Sequence, residues 1–445
     1  MLGEKRMREI AEQVLSLSDA EQTEVIIMSD DSELTRFANS YIHQNVAERN
    51  VGLRVRAVMS KKIGVASIND LSPEALERVV EKALAIAKLQ PENPDFISLP
   101  GAAPIPEVEA FDEATAGFSP VARAKAVGVI CQLAVGNGLI ASGAFTTGGY
   151  ELTVANSLGV FAYHAATLAD INTVIMADDS SGYAAATAWK VGGINAEAIG
   201  AEAVEKALRS RHPRELPPGC YPVILEEYAV ADIMDTLAHL GFGALSVQEG
   251  RSFMVDRFGE QIMSDAISIW DDGPDPTGLP MPFDFEGVPK QRVDLIKGGV
   301  AEAVVYDSYT AGKEGKASTG HGLPAPNTHG PVPGHLFMAP GEMNKEEMLA
   351  SMERGLWVTR FHYTVPVHPK LAIVTGMTRD GTFLVERGEI SYPIKNLRFT
   401  QSYVEALAHV ELVGRTTRLQ QNWFGGTRVP ALKVAEFEFT GATEF

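Results

Sequence analysis

Residues 221–240, YPVILEEYAVADIMDTLAHL, are the stretch from which the fold is read. The aliphatic run at 223–225 reads as a short buried strand, and Glu226 and Glu227 open a helix behind it. Val230, Ile233, Leu237 and Leu240 recur at helical spacing, so one face of that helix is apolar and packs inward. Asp232, Asp235 and His239 fall at i, i+3 and i+7 on another face. A metal site built from those three is geometrically allowed. The favoured expectation is a solvated polar face carrying an i,i+4 Asp–His pair.

Working outward, RELPPG at 214–219 is the best domain boundary, dividing 1–215 from 216–445. Upstream, a helix at 4–17 with Met7, Ile10, Val14 and Leu17 on one face precedes β-like runs from 24 to 67, including one through 34–46. Ser72–Pro73 opens a second helix, and proline-rich, acidic residues 90–117 form a linker. Ser119–Pro120 starts another helix, followed by a second meander and a helix at 196–209. The words ANS (38–40 and 155–157) and VEKAL (80–84 and 204–208) recur in the same order, which suggests an internal duplication of 1–90 onto 118–210. Downstream, residues 271–289 should form a loop whose acids face water, and Asp380–Gly381 should turn a hairpin. The fold class is α+β. The N-terminal domain consists of helices and antiparallel meanders, and the C-terminal domain of antiparallel, barrel-like sheets with few helices.

The chain of 445 residues carries a formal charge of −19, without any basic block, which argues against nucleic acid or an anionic membrane as partner. Cys131 and Cys220 suggest no disulfide framework. The opening residues read as an amphipathic helix and not as a secretion signal, so a soluble cytoplasmic protein is expected.

Motifs for chemistry are sparse. His321, His329 and His335 sit in a Gly/Pro-rich loop whose spacing defines no metal geometry. His362 and His368 would share one face of a strand if Pro366 does not break it. There is no G-x-S-x-G elbow, and Cys220 has no identifiable base. Taken alone, the residues define no complete active site.

Four words in the second half carry a resemblance: YDSYTA at 306–311 with STG at 318–320, GLWVT at 355–359, TGMTRDGTF at 375–383, and KNLRFT at 395–400. With these, the chain resembles the TldD/PmbA family, labelled modulators of DNA gyrase and viewed as metalloprotease subunits. The resemblance is strong over about 217–445 and rests mainly on layout before that. It implies two kinds of subunit. The TldD kind carries H-E-x-x-x-H at a strand-to-helix junction, with a C-terminal cysteine completing a zinc site; the PmbA or TldE kind lacks the motif and pairs with the first. In that register Glu226 stands where the first histidine would be, Glu227 matches the glutamate, and Ala231 replaces the second histidine. Residues 422–428 (NWFGGTR) hold no cysteine. Two ligands five residues apart lie about 140° around an ideal helix, so the family's spacing needs a local distortion; EEYAVA does not, and a plain helix is expected.

The resemblance therefore implies a non-catalytic PmbA/TldE-like subunit without metal of its own. Zinc is expected in a TldD-like partner, in a heterodimer or larger assembly that acts on unfolded peptides. Ser318, Thr319, Gly320, His321 and His362 are candidates to line the substrate channel. Two rivals stand beside this. One is a stand-alone peptidase using another site, such as His321, His329, His362 or Asp232/Asp235/His239; the other is a non-enzymatic peptide-binding or regulatory homodimer.

Overall fold

Period-two apolar patterning over the first half produces strands with one face for helices and one face that carries none. The computed structural model describes residues 1–442. Helix α1 (Glu4–Ser16) buries Met7, Ile10 and Val14, as their spacing predicts. Strands β1 (Gln22–Ala38), β2 (Tyr41–Met59) and β3 (Lys62–Ile68) and helix α2 (Pro73–Leu89) follow. After the 90–112 linker come α3 (Glu113–Ala116), α4 (Pro120–Gly136), β4 (Ile140–Asn156), β5 (Phe161–Met176), β6 (Ser181–Ala188) and α5 (Ala196–Arg209). The run through 34–46 is not one strand. Asn39 and Ser40 both adopt positive φ and make a tight two-residue hairpin inside it.

All six strands form one antiparallel sheet, ordered β3-β2-β1-β4-β5-β6, with β1 and β4 paired along its middle. Val25 and Ile27 belong to the core under α1 and α2. Ile26, Leu152 and Val154 point the other way and pack on Met281 and Phe283 of the C-terminal half. Toward each end of the sheet a helix approaches so closely that only glycine fits. A Cβ at Gly64 would lie 2.1 Å from the carbonyl oxygen of Ala83 and 2.3 Å from the nitrogen of Ala87. One at Gly182 would lie 2.2 Å from the oxygen of Ala203 and 2.5 Å from the nitrogen of Ala207. The two ANS words both end strands of the central pair, whereas the VEKAL words are one helical turn out of step with these contacts.

The C-terminal half runs β7 (Gly219–Leu225), α6 (Glu227–Leu240), α7 (Ala244–Gln248), β8 (Ile269–Asp271), β9 (Val293–Lys297) and β10 (Val300–Ala301). It continues with α8 (Ser308–Lys313), β11 (His335–Met338), α9 (Lys345–Ala350), β12 (Arg354–His368), β13 (Ile373–Glu386) and β14 (Glu389–Pro393). It ends with β15 (Leu397–Ser402), α10 (Tyr403–Ala408), β16 (Val410–Gln421) and β17 (Gly426–Ala442). Strands β7, β12, β13, β15 and β17 pair in a closed ring, because β7 bonds to β12 on one side and to β17 on the other. The class is α+β with a barrel, as expected. Two pairings, β7 with β12 and β11 with β17, are parallel.

Two local expectations are corrected. Asp380–Gly381 is no hairpin turn. Strand β13 runs through it, and the pair forms a bulge opposite the single residue Thr359. Asp380 takes φ 56°, and its buried carboxylate accepts from Arg360 and from the Ser181 hydroxyl at 2.6 Å each. The acids of 271–289 do not all face water either: Asp271, Asp284 and Glu286 are buried. The segment packs against the N-terminal sheet through Met281 and Phe283, and its turns fold back on their own carboxylates. Asp284 accepts three backbone N–H groups, from Glu286, Val288 and Gly322.

The close helix–strand approaches generate a signed prediction. Gly64→Ala and Gly182→Ala should each cost about 1–3 kcal/mol, because the added methyl meets backbone that cannot yield. Gly128→Ala in α4, where a methyl meets nothing within 4 Å, should stabilise by about 0.5–1 kcal/mol. Urea unfolding of the three variants reads both signs.

Candidate functional site

The strand-to-helix junction is set by the barrel. Val223, Ile224 and Leu225 are fully buried between β12 and β17, and the chain can leave β7 only into α6. Glu226 is the N-cap residue, with extended backbone, and its N–H bonds to the Val358 carbonyl at 3.0 Å. Helix α6 is a regular α-helix from Glu227 onward, as expected. Both glutamates are about 1% exposed.

A buried carboxylate needs a countercharge, and this pair finds three. Glu226 Oε2 lies 2.7 Å from Lys206 Nζ of α5 and 3.9 Å from Lys345 Nζ of α9. Its Oε1 accepts from Trp357 Nε1 at 2.6 Å and from Thr359 Oγ1 at 3.3 Å. Glu227 Oε2 lies 2.7 Å from Lys345 Nζ and 3.8 Å from Arg418 Nε. Glu202 completes the network, bonding Lys206 at 2.8 Å and Arg418 at 2.7 Å, while Tyr228 Oη meets Arg418 at 2.6 Å. Three carboxylates thus face three cations. Burial pushes the Glu226 carboxyl up, but Lys206 and Lys345 outweigh it and hold the group below its ordinary value. Lys206 is held above its ordinary value, because Glu226 and Glu202 outweigh its own burial.

A zinc ion does not fit this donor set. The carboxylate oxygens already face ammonium groups, and Ala231 offers only a methyl, which packs in the apolar core. Among the described residues no three His, Cys, Asp or Glu side chains are grouped so as to hold a metal.

The other face of α6 is not the solvated face expected. Asp232 accepts from Thr364 Oγ1 at 2.8 Å and from Tyr403 Oη at 3.0 Å, and Asp235 accepts from the Thr427 hydroxyl. Burial without a cation pushes the Asp232 carboxyl up to about 6 and Asp235 up to about 7. The i,i+4 Asp–His pair is also absent: His239 Nδ1 meets the backbone carbonyl of Asp235 at 2.8 Å, not its carboxylate. The 422–428 segment docks on this face through Thr427.

The remaining candidates are dispersed. His321 is buried, with Nε2 2.7 Å from Asp271 Oδ1 and Nδ1 2.9 Å from Thr319 Oγ1. Asp271 also accepts from the backbone N–H of His335 at 2.7 Å, and burial drives the His335 imidazole down to about 3. His329 is exposed. Gly320 is buried, and Ser318 and Thr319 bond to the backbone of Tyr306, so 318–321 is an anchored turn. His362 lies elsewhere, half-buried in β12 beside Arg379 and Arg360. Register shifts between 362 and 368 remove the simple alternation expected for His362 and His368.

No local pattern in the sequence points to Lys345, Arg418 or Glu202, and Lys206 and Trp357 stand out only as members of the VEKAL and GLWVT words. Two adjacent acids behind a buried strand do imply cations. Their partners lie between 20 residues away (Lys206 from Glu226) and 191 residues away (Arg418 from Glu227), beyond any local spacing rule.

Comparison with known proteins follows the same layout. Residues 218–441 match the model of the PmbA/TldA metallopeptidase C-terminal domain, 23–87 that of domain 1, and 107–211 that of the central domain. Metalloprotease PmbA of Escherichia coli O157:H7 is 27% identical over 393 residues, covering 84% of this chain and 83% of that protein. The crystal structure of TldE from Thermococcus kodakarensis superposes with TM-score 0.89 at 20% identity, covering 98% of this chain and 100% of that one. A Thermotoga maritima protein described as a modulator of a DNA gyrase gives 0.88 at 22% identity, with the same coverage. At those identities the structural likeness establishes the fold alone.

Two predictions follow from the charges on α6. Lys206→Met leaves Glu226 buried without its nearest cation and should cost about 3–5 kcal/mol. Lys206→Met/Glu226→Gln should cost clearly less, since a neutral amide needs no countercharge and still accepts from Trp357. The second concerns pH. Asp232 and Asp235 titrate higher in the fold than their ordinary 3.8, so their contribution to stability is full below that value and falls as pH rises through about 7. Asp235→Asn should therefore gain stability relative to the parent between pH 5 and 8, by about 1–2 kcal/mol for a half-buried group. Chemical unfolding of both proteins across that range reads the difference.

Proposed function

This chain belongs to the PmbA/TldD metallopeptidase family, and from that premise we propose that it is a PmbA/TldE-like, non-catalytic subunit of a zinc metalloprotease acting on unfolded peptides. The observation that carries the proposal is the network at the junction. Where a metallopeptidase would aim ligands at an ion, Glu226 and Glu227 are neutralised by Lys206, Lys345 and Arg418, and position 231 is an alanine. A hydrolytic zinc needs open coordination and a free carboxylate to activate water. Here Glu227 is held by an ammonium group at 2.7 Å. The chain's own residues supply rigidity instead, tying α5 of the N-terminal half to the barrel.

In this reading zinc resides in a TldD-like partner chain, in a heterodimer or larger assembly. Extended peptide is held partly by backbone pairing, which accepts many sequences. A cytoplasmic location is part of the same proposal. No helix among the described residues is long and apolar enough to cross a membrane.

Co-expression with an H-E-x-x-x-H relative from the same genome tests the assignment. The expected outcome is a stable complex with chelator-sensitive peptidase activity, and isolated chain with substoichiometric zinc and no such activity. Stoichiometric zinc and chelator-sensitive cleavage by the isolated chain would falsify the subunit reading.

A further inference from the structure

Trp423 is 89% exposed, more than any other large apolar side chain in the described structure. It is not on a loose tip. Asn422 Oδ1 accepts from the backbone N–H groups of Phe424 and Gly425 at 2.9 and 2.7 Å. The Asn422 amide nitrogen donates to the Gly334 carbonyl and the Thr427 hydroxyl at 3.1 and 2.9 Å. A rigid loop therefore holds an indole ring in water at the joint between the two halves. A single exposed apolar side chain needs no explanation by itself, but tryptophan is among the residues that most often carry binding energy, and this one adjoins an apolar groove.

Trp423 stands between two depressions. One is an apolar groove between the helix-free face of the six-stranded sheet and the C-terminal half, walled by Met28, Leu168, Trp189, Leu279 and Phe424, with Asp30 in its lining. The other is polar and contains Asp170 and Asp235. Among the described residues no Lys, Arg or His lines either depression. The charged groups acting on Asp30 are the carboxylates of Asp31 and Glu48, and the one acting on Asp235 is Asp232. An aromatic surface flanked by uncompensated carboxylates is complementary to a cation with an apolar neighbour.

Within the peptide-handling role proposed above, we infer that this face selects extended peptide segments in which a bulky apolar residue is adjacent to lysine or arginine. The apolar side chain occupies the groove against Trp189 and Phe424. The basic side chain crosses the indole of Trp423 toward Asp170 and Asp235. A cation over the face of a tryptophan is attracted by the ring quadrupole, and an arriving cation supplies the countercharge that favours the ionised form of the half-buried Asp170 and Asp235. The charge of −19 on the whole chain adds long-range steering of cationic segments. A free N-terminal amine offers the same charge, so blocked peptides are needed to assign the preference to the side chain.

Calorimetry on the full chain with acetylated, amidated peptides tests this, using Gly-Phe-Arg-Gly, Gly-Phe-Glu-Gly and Gly-Ala-Arg-Gly. The Phe-Arg peptide should bind at least about tenfold tighter than either other, and raising salt from about 50 to about 300 mM should weaken it selectively. Trp423→Ala should lower its affinity about tenfold, while Trp423→Phe retains most of it. Asp170→Asn/Asp235→Asn should remove the preference for Arg over Glu and leave that for Phe over Ala. Equal binding of the Arg and Glu peptides, unchanged affinity in Trp423→Ala, or no binding of any peptide by the free chain or its complex would overturn the inference. Partner capture and zinc content are measured separately, so the subunit assignment can stand when this selectivity fails.

Discussion

Two adjacent carboxylates buried at the mouth of α6 cannot remain there as bare charges, and much of the architecture answers that constraint. Lys206 comes from the N-terminal half, Lys345 from the first residue of α9, and Arg418 from β16. Each is brought to one point near the end of β7. Desolvation alone would raise the Glu226 carboxyl; the surrounding cations reverse that, so the ion network is a condition for packing the junction as it is. The same contacts tie α5 to the barrel, which makes the relative placement of the two halves part of the electrostatic solution.

The barrel supplies the other half of that condition. Strand β7 is bonded on both edges, in parallel to β12 and antiparallel to β17, so its last residue is held on both sides before the helix begins. Trp357 and Thr359, on β12 beside it, aim their donors at Glu226. Rigid strands thus orient the polar partners, and α6 continues as a regular helix whose inward face carries Ala231 into the apolar core.

The N-terminal sheet uses its two faces differently. Four helices cover one face, close enough at β3 and β6 to exclude any side chain from Gly64 and Gly182. The other face is partly covered by Met281 and Phe283 and otherwise open beside Trp423. That open area exists because the two halves meet over only part of the sheet, and it is where exposed aromatic surface and acids without a neighbouring cation come together.

The α+β class, the strand-to-helix junction, the helices at 4–16 and 120–136 and the missing donor at position 231 were legible from sequence. Each follows from local rules: side-chain period, capping residues and the chemistry of one side chain. The hairpin at Asn39–Ser40 and the bulge at Asp380 were not, because strand pairing decides whether a polar pair turns the chain or interrupts its register. Nor could local pattern tell that Asp232, Asp235, Asp271 and Asp284 leave bulk water. A polar helix face or an acidic loop is solvated unless another part of the chain packs over it, and here α10, β17 and the turn at 318–321 do so. Sequence therefore determined that the family's metal ligands are absent from α6. Only tertiary structure decided that three cations from three distant elements take up the charge of the acids that stand there, because countercharge is set by distance in space and not by position along the chain.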